Sequence, residues 1–203
     1  LIVTGVQTCA LPILYQERES VYFYLTLLNE KYPQPTMPET AAEGIIKGMY
    51  RLVTCEKPDI AHVQLLGSGA ILREVLAAAE LLQTDYSVTS DVWAVTSFNE
   101  LARDGQDAER YNMLHPKAKQ RVPYVSNCLN GQRGPVIAAT DYMKSYAEQI
   151  RAFVPGEYRV LGTDGFGRSD SRQQLRHHFE VDRYFVVVAT LKSLADRGNV
   201  DPQ

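Results

Sequence analysis

"HVQLLGSGAILREVLAAAELLQTDYSVTSDVWAVTS" (residues 62–97) decides the fold. Its opening, "HVQLLGSG", is a short apolar run closed by glycines and reads as a strand buried on both faces. Through "AILREVLAAAELLQTDY" (70–86), Ile71, Leu72, Val75, Leu76, Ala79 and Leu82 recur at helical spacing. "SDVWAVTS" (90–97) then reads as the next strand. A strand, a crossover helix and a strand in this order predict a parallel pair.

The same alternation continues downstream. "FNELARDGQDAERYNML" (98–114) is a polar helical stretch, and "GPVIAATD" (134–141) a third strand. "YMKSYAEQIRAFV" (142–154) reads as one helix stopped by Pro155 and Gly156, and "YRVLGTD" (158–164) as a fourth strand. "SRQQLRHHFE" (171–180) and "DRYFVVVATLKSLADRG" (182–198) close the series, the latter ending in Arg197 and Gly198 like a helix C-terminus. Upstream, "AEGIIKGMYRLV" (42–53) leads to a turn at "EKPD" (56–59). "KYPQPTMPET" (31–40) holds three prolines and reads as a linker, and "ESVYFYLTLLNE" (19–30) has the composition of a buried strand. The expected class is α/β, a three-layer sandwich with a mostly parallel sheet and helices on both faces.

Length and composition narrow the role. The 203 residues are 45% hydrophobic with a formal charge of −3, enough for one sizeable core. No apolar run approaches the roughly 20 residues that span a bilayer, and the overall charge balance does not favour nucleic acid. Cys9, Cys55 and Cys128 are distant from one another and form no C-x-x-C pair, so a cytoplasmic setting without disulfide or zinc is expected. "LIVTGVQTCALPI" (1–13) lacks a basic flank and a cleavage site, and is read as foreign to the protein.

The glycine turns invite a phosphate reading. Gly67 and Gly69 begin a dinucleotide fingerprint, but Leu72 stands where its third glycine belongs. "GTDGFGRSDS" (162–171) has no lysine and is not a P-loop. Gly162, Gly165 and Gly167 with Arg168 leave an anion nest open as one reading. The other is a tight turn needing positive φ, followed by a helix capped at Asp170 or Ser171, with Ser171 and Gln174 as a capping box.

Other chemistry is sparse. His177 and His178 are adjacent and diverge by about 100° on a helix, so one is expected beside Phe179 in the interior and the other in solvent. His62 sits at a strand start and His115 in a loop, both read as structural. Asp104, Asp107 and Glu109, with Arg103 and Arg110, lack calcium-loop spacing and read as a salt-bridged polar face or an interface. No nucleophile has a base beside it.

Several stretches nevertheless resemble one family closely. "LYQERESVYFYLTLLNE", "QLLGSGAILREV", "VTSFNELARDGQDAERYNMLHP", "RVPYV", "TDYMKSYAEQIRAFVP" and "YRVLGTDGFGRSDSRQQLRHHFEVD" are similar to the carboxyl-terminal part of homodimeric pyruvate dehydrogenase E1 components. These are thiamine-diphosphate enzymes of the transketolase-like superfamily. The resemblance implies that residues 14–44 are the end of a pyrimidine-binding domain plus linker, and 45–203 a transketolase-like C-terminal domain cut short at its end. It implies thiamine diphosphate and Mg2+ for the full-length parent and neither for this piece, whose Asp164-Gly165 lacks the downstream Asn of the cofactor motif. The implied partners are the remaining E1 domains, a second E1 subunit and the E2 acetyltransferase, with no nucleic acid or membrane. No catalytic, cofactor-binding or metal residue is carried over. The candidate interface or anion contacts are Arg103, Asp104, Asp107, Arg110, Gly165, Gly167, Arg168, Ser169 and Arg172. Two rivals stand beside this reading: an independent anion- or nucleotide-binding module, and a module that serves only to bind E2.

Overall fold

A computed structural model describes residues 12–22, 31–33, 35–55 and 61–201. The chain divides into two parts, Leu1–Thr36 and Met37–Gln203. In the first, the described secondary structure is a π-helical turn at Pro12–Gln16. Residues 19–22 of the expected strand carry no regular secondary structure, and 23–30, the expected turn at 56–59 and most of the segment 1–13 lie outside the described residues.

The second part contains α1 (Ala41–Lys47), β1 (Met49–Val53), β2 (His62–Ser68), α2 (Leu72–Tyr86), β3 (Thr89–Val95), α3 (Phe98–Leu114) and α4 (Tyr124–Leu129). It continues with β4 (Val136–Ala139), α5 (Lys144–Glu148), β5 (Tyr158–Leu161), α6 (Arg172–His178) and α7 (Arg183–Asp196). The strands lie in the order β1-β3-β2-β4-β5. All neighbouring pairs are parallel except β1 with β3. Gly48, at φ +105°, caps α1 and turns the chain into that antiparallel edge.

Every residue of β2 and β3 is buried, which is why both read as near-continuous apolar runs. Their side chains alternate between two cores. One gathers Leu66, Trp93, Val95 and Ala138 against Leu101 of α3, Val125 and Leu129 of α4, and Ile150. The other gathers Val63, Leu65, Val92 and Ile137 against Val75 and Leu82 of α2 and Val186 and Leu194 of α7. Helices therefore cover both faces of a mostly parallel sheet, as the alternation of elements requires.

Polar groups are built into the first core where β2 and β3 begin. His62 Nδ1 lies 2.7 Å from the Thr89 hydroxyl, and Gln64 donates to Asp91 and accepts from the Trp93 indole at 2.8 Å. Asp91 also accepts from the Cys55 amide. Burial pushes the His62 pKa down despite the nearby Asp91 charge. Burial raises the Asp91 carboxyl, but its hydrogen bonds and His62 outweigh that and hold it below the usual value.

Two expectations change. The stretch 142–154 is not one helix: α5 begins at Lys144 and a separate 3₁₀ turn covers Arg151–Phe153. Ala147, Ile150 and Phe153 are buried at a spacing of three, the period of the tighter 3₁₀ turn. His177 and His178 are both exposed, because α6 buries no residue.

Candidate functional site

In parallel sheets the crevice that takes ligands opens where neighbouring crossovers diverge, beyond the carboxyl ends of the strands. Here that point lies between β2 and β4. Ser68 donates to the Thr140 hydroxyl across it at 2.8 Å. A Cβ on Gly67 would come within 2.9 Å of Leu72 Cα, so strand and helix meet backbone to backbone. Gly69, at φ +54°, faces the Asp141 carboxylate, whose Oδ1 would stand 3.2 Å from an added Cβ. Although Asp141 reaches solvent, burial of its carboxyl pushes the pKa up, opposed by the Arg176 charge. A carboxylate thus stands where a dinucleotide phosphate would lie.

The next turn, after β5, is stitched to the one after β4. The Thr163 amide donates to Tyr142 O at 2.9 Å and its hydroxyl to Asp141 O at 2.6 Å. Asp164 accepts from the Lys144 amide at 3.0 Å, which ties this turn to the start of α5. The glycines of this turn serve three different ends. Gly162 admits a close backbone approach, because an added Cβ would meet the Lys144 amide nitrogen at 2.8 Å. Gly165 holds φ +94° in open space. Gly167 has neither a positive φ nor a neighbour within 4 Å, so the positive-φ expectation holds at Gly165 alone. Phe166 between them is 95% exposed, and Arg168 and Ser169 are exposed as well.

The turn runs into α6, where Ser171 accepts from the Gln174 amide at 3.4 Å. The Ser171 amide donates to Asp170 rather than to Gln174, so Asp170 and Ser171 share the capping. Arg172 is half-buried at the first position of the helix.

A charged knot ties α6 and α7 to the head of α2. Glu74 accepts from Arg176 at 3.1 Å and from Arg183 Nε at 2.9 Å. Burial raises the Glu74 carboxyl, yet Arg183 and then Arg176 outweigh it and hold it below the usual carboxylate range. Asp182 caps α7 through the Tyr184 and Phe185 amides, both at 3.0 Å, and meets His177 Nδ1 at 2.9 Å. A cleft of about 670 Å³ opens beside this knot, and one of about 530 Å³ beside Arg168 and His178. In the first, Arg176 and Arg183 both pair with Glu74.

The polar face of α3 resolves differently from its sequence reading. Asp104 caps α4, accepting from the Tyr124 amide at 2.5 Å. Arg103 pairs with Glu100 at 2.8 Å, while Asp107 and Arg110 are exposed. The structure therefore does not bring the α3 residues together as one salt-bridged cluster. Among the described residues, no group of three or more His, Cys, Asp or Glu could hold a metal ion. The Cys128 thiol is pushed up by burial, more than the Tyr124 hydrogen bond and nearby cations offset, which makes it a poor nucleophile. These residues do not fit a magnesium diphosphate, and no step of a thiamine reaction is assigned to them.

Residues 48–182 match the family model of the transketolase-like TK C-terminal domain. The chain belongs to that family. It is 60% identical over 191 residues to the pyruvate dehydrogenase E1 component of Pseudomonas aeruginosa, covering 94% of this chain and 22% of that protein. To the same component from Escherichia coli K12 it is 61% identical over 187 residues, 92% of this chain and 21% of that one. The chain thus spans about a fifth of the length of these relatives. Among solved structures, a split-gene transketolase described as an inactive beta4 tetramer superposes with a TM-score of 0.51 at 16% identity. That match covers 80% of this chain and 46% of the other. Transketolase from Leishmania mexicana gives 0.50 at 19% identity, over 79% and 20%. At such identities these structures speak for the fold, and they share its α/β architecture.

Two features were hidden in the sequence. Helix α4 is only six residues long, and its one signal is Pro123 ahead of Val125 and Leu129, buried four residues apart. Nothing in the spacing of Asp104 announces a cap on a helix twenty residues away.

Proposed function

We propose that this chain is the C-terminal domain of a pyruvate dehydrogenase E1 component and works as a structural and contact-forming part of that enzyme. The observation that carries this reading is identity of about 60% over more than nine-tenths of the chain to E1 components from two bacteria. The whole protein would decarboxylate pyruvate and pass the acetyl unit to the lipoyl group of E2. Thiamine diphosphate would supply the electron sink for that chemistry, with Mg2+ on its diphosphate, held by parts of the enzyme outside this chain.

In this reading residues 14–44 are the end of a preceding pyrimidine-binding domain and the Pro-rich linker that follows it. The exposed groups of α3 (Arg103, Asp107, Arg110) and of the β5–α6 turn (Gly165, Gly167, Arg168, Ser169), with the half-buried Arg172, meet the other E1 domains, the second subunit or E2. The setting is cytoplasmic; among the described residues no helix is long and apolar enough to cross a membrane. The carboxylate of Asp141 at the strand crevice and the open glycine turn weigh against an independent nucleotide-binding module.

The test is a chimera in which residues 37–203 replace the matching segment of the Escherichia coli relative. Pyruvate-dependent acetylation of the lipoyl domain by the purified chimera is the expected result. A folded, dimeric chimera that binds thiamine diphosphate yet lacks turnover would overturn the reading.

A further inference from the structure

The overall charge of −3 conceals a strongly one-sided segment. From Arg110 to Thr140 the chain carries Arg110, Lys117, Lys119, Arg121 and Arg133 and not one Asp or Glu. Four of these cations stand in or beside the loop 115–123, which follows α3. Lys117, Lys119 and Arg121 are exposed and fall at alternate positions of that loop.

The loop is held in one shape. Asn112 grips the Arg121 backbone with both ends of its amide, donating to Arg121 O and accepting from Arg121 N, each at 2.8 Å. The Arg121 guanidinium lies 3.5 Å from the centre of the Tyr111 ring, and His115 stacks on the same ring at 4.3 Å. Two groups this close cannot share one face, so the ring is covered on both sides. Beside the cations stand Met113, 72% exposed, Leu114 and Val122. A fixed loop that offers cations and apolar side chains together loses little freedom on binding.

We propose that the end of α3 and the loop 115–123 form a docking surface for an acidic polypeptide segment of a partner protein, one carrying apolar side chains among its carboxylates. Charge complementarity selects the acidic character, because Lys117, Lys119 and Arg121 are exposed in a loop that holds no Asp or Glu. Met113, Leu114 and Val122, all exposed, select a polypeptide with apolar side chains over a nucleic acid, and both faces of the Tyr111 ring at the end of α3 are already covered.

The test uses the whole 203-residue chain and a fluorescent synthetic peptide that alternates Glu-Asp pairs with leucines. Saturable binding is expected, weakening as salt rises. Lys117→Glu with Lys119→Glu should reduce affinity by about tenfold or more without moving the melting temperature, because both side chains stand in solvent. Should that variant fold poorly, Lys117→Gln with Lys119→Gln must show the same direction of loss. Met113→Ser with Val122→Ser should weaken the leucine-bearing peptide and leave a serine-for-leucine control unchanged. The proposal is overturned by absence of peptide binding, by binding that ignores the lysine changes, or by oligothymidylate or phosphatidylserine vesicles binding as tightly as the peptide.

Discussion

Two strand-to-helix turns, Gly67–Ser68–Gly69 at the end of β2 and Gly165–Phe166–Gly167 after β5, carry the same spacing of glycines and one left-handed glycine each, Gly69 and Gly165, yet differ in what surrounds them. In the first, Gly67 is pinned against Leu72 and Gly69 faces Asp141. In the second, both glycines look into open space around an exposed phenylalanine. Glycine spacing reports that backbone must pass where a side chain is unwelcome, and the reason differs from turn to turn. Close packing at Gly67 explains the first turn, a left-handed residue in open space explains the second, and neither requires a phosphate.

The sharpest way to break this contrast is Gly67→Val. Its Cβ would collide with Leu72 Cα, a backbone atom that cannot swing aside, so a loss of about 3 kcal/mol or more is expected from urea denaturation. An unchanged midpoint would mean that strand and helix are not in contact there.

Glu74→Ala comes next, because it strands Arg176 and Arg183 around the head of α2. A loss of about 2–3 kcal/mol is expected, below the cost of breaking a fully buried pair because Arg183 is partly exposed. Together with the buried polar groups at the start of β2 and β3, this knot predicts acid sensitivity. Glu74 and Asp91 both titrate below their ordinary values when folded, so their stabilisation is present above the unfolded carboxylate value, near 4.5 and 3.8, and disappears as pH falls through the folded one. His62 is also held below its unfolded value of 6.5, so the unfolded chain takes up its proton first and stability declines as pH falls below that point. Thermal midpoints should therefore drop from about pH 6 downwards, and Glu74→Gln should flatten the lower part of that curve.

Gly165→Val should cost about 1–3 kcal/mol through its left-handed backbone alone, with Gly165→Asn much milder. Gly167→Ala should lie within about 0.5 kcal/mol of the parent, having open space and no special φ. Equal effects at 165 and 167 would erase the distinction drawn between them.

What the sequence disclosed, and what it withheld, follows the same logic. The β2–α2–β3 unit was legible because burial on both faces makes strands continuous apolar runs, and Ile71 to Leu82 keep a clean helical period. Ser171 announced its cap because that signal is local. The antiparallel β1 was not resolved, since the reversal depends on Gly48 ending α1 at left-handed φ and on pairing with the distant β3. Nor was the break in 142–154, where a period of three replaces the helical one only because Phe153 tucks against Gly105. Membership of the family was legible in long shared stretches, whereas the role of Asp104 as a cap was not, being fixed by where α4 happens to fall.

The central claim is that the Gly165–Arg168 turn is a surface of a supporting domain and not an anion cradle. It is tested most directly by titrating the whole chain with inorganic phosphate and with magnesium thiamine diphosphate while following the amide signals of residues 162–171 by NMR. The account predicts no saturable shift with either ligand at millimolar concentrations, and the same spectra for Arg168→Ala apart from the changed residue and its neighbours. Saturable shifts centred on Gly165 to Arg168 that vanish in Arg168→Ala, with the melting temperature unchanged, would contradict it.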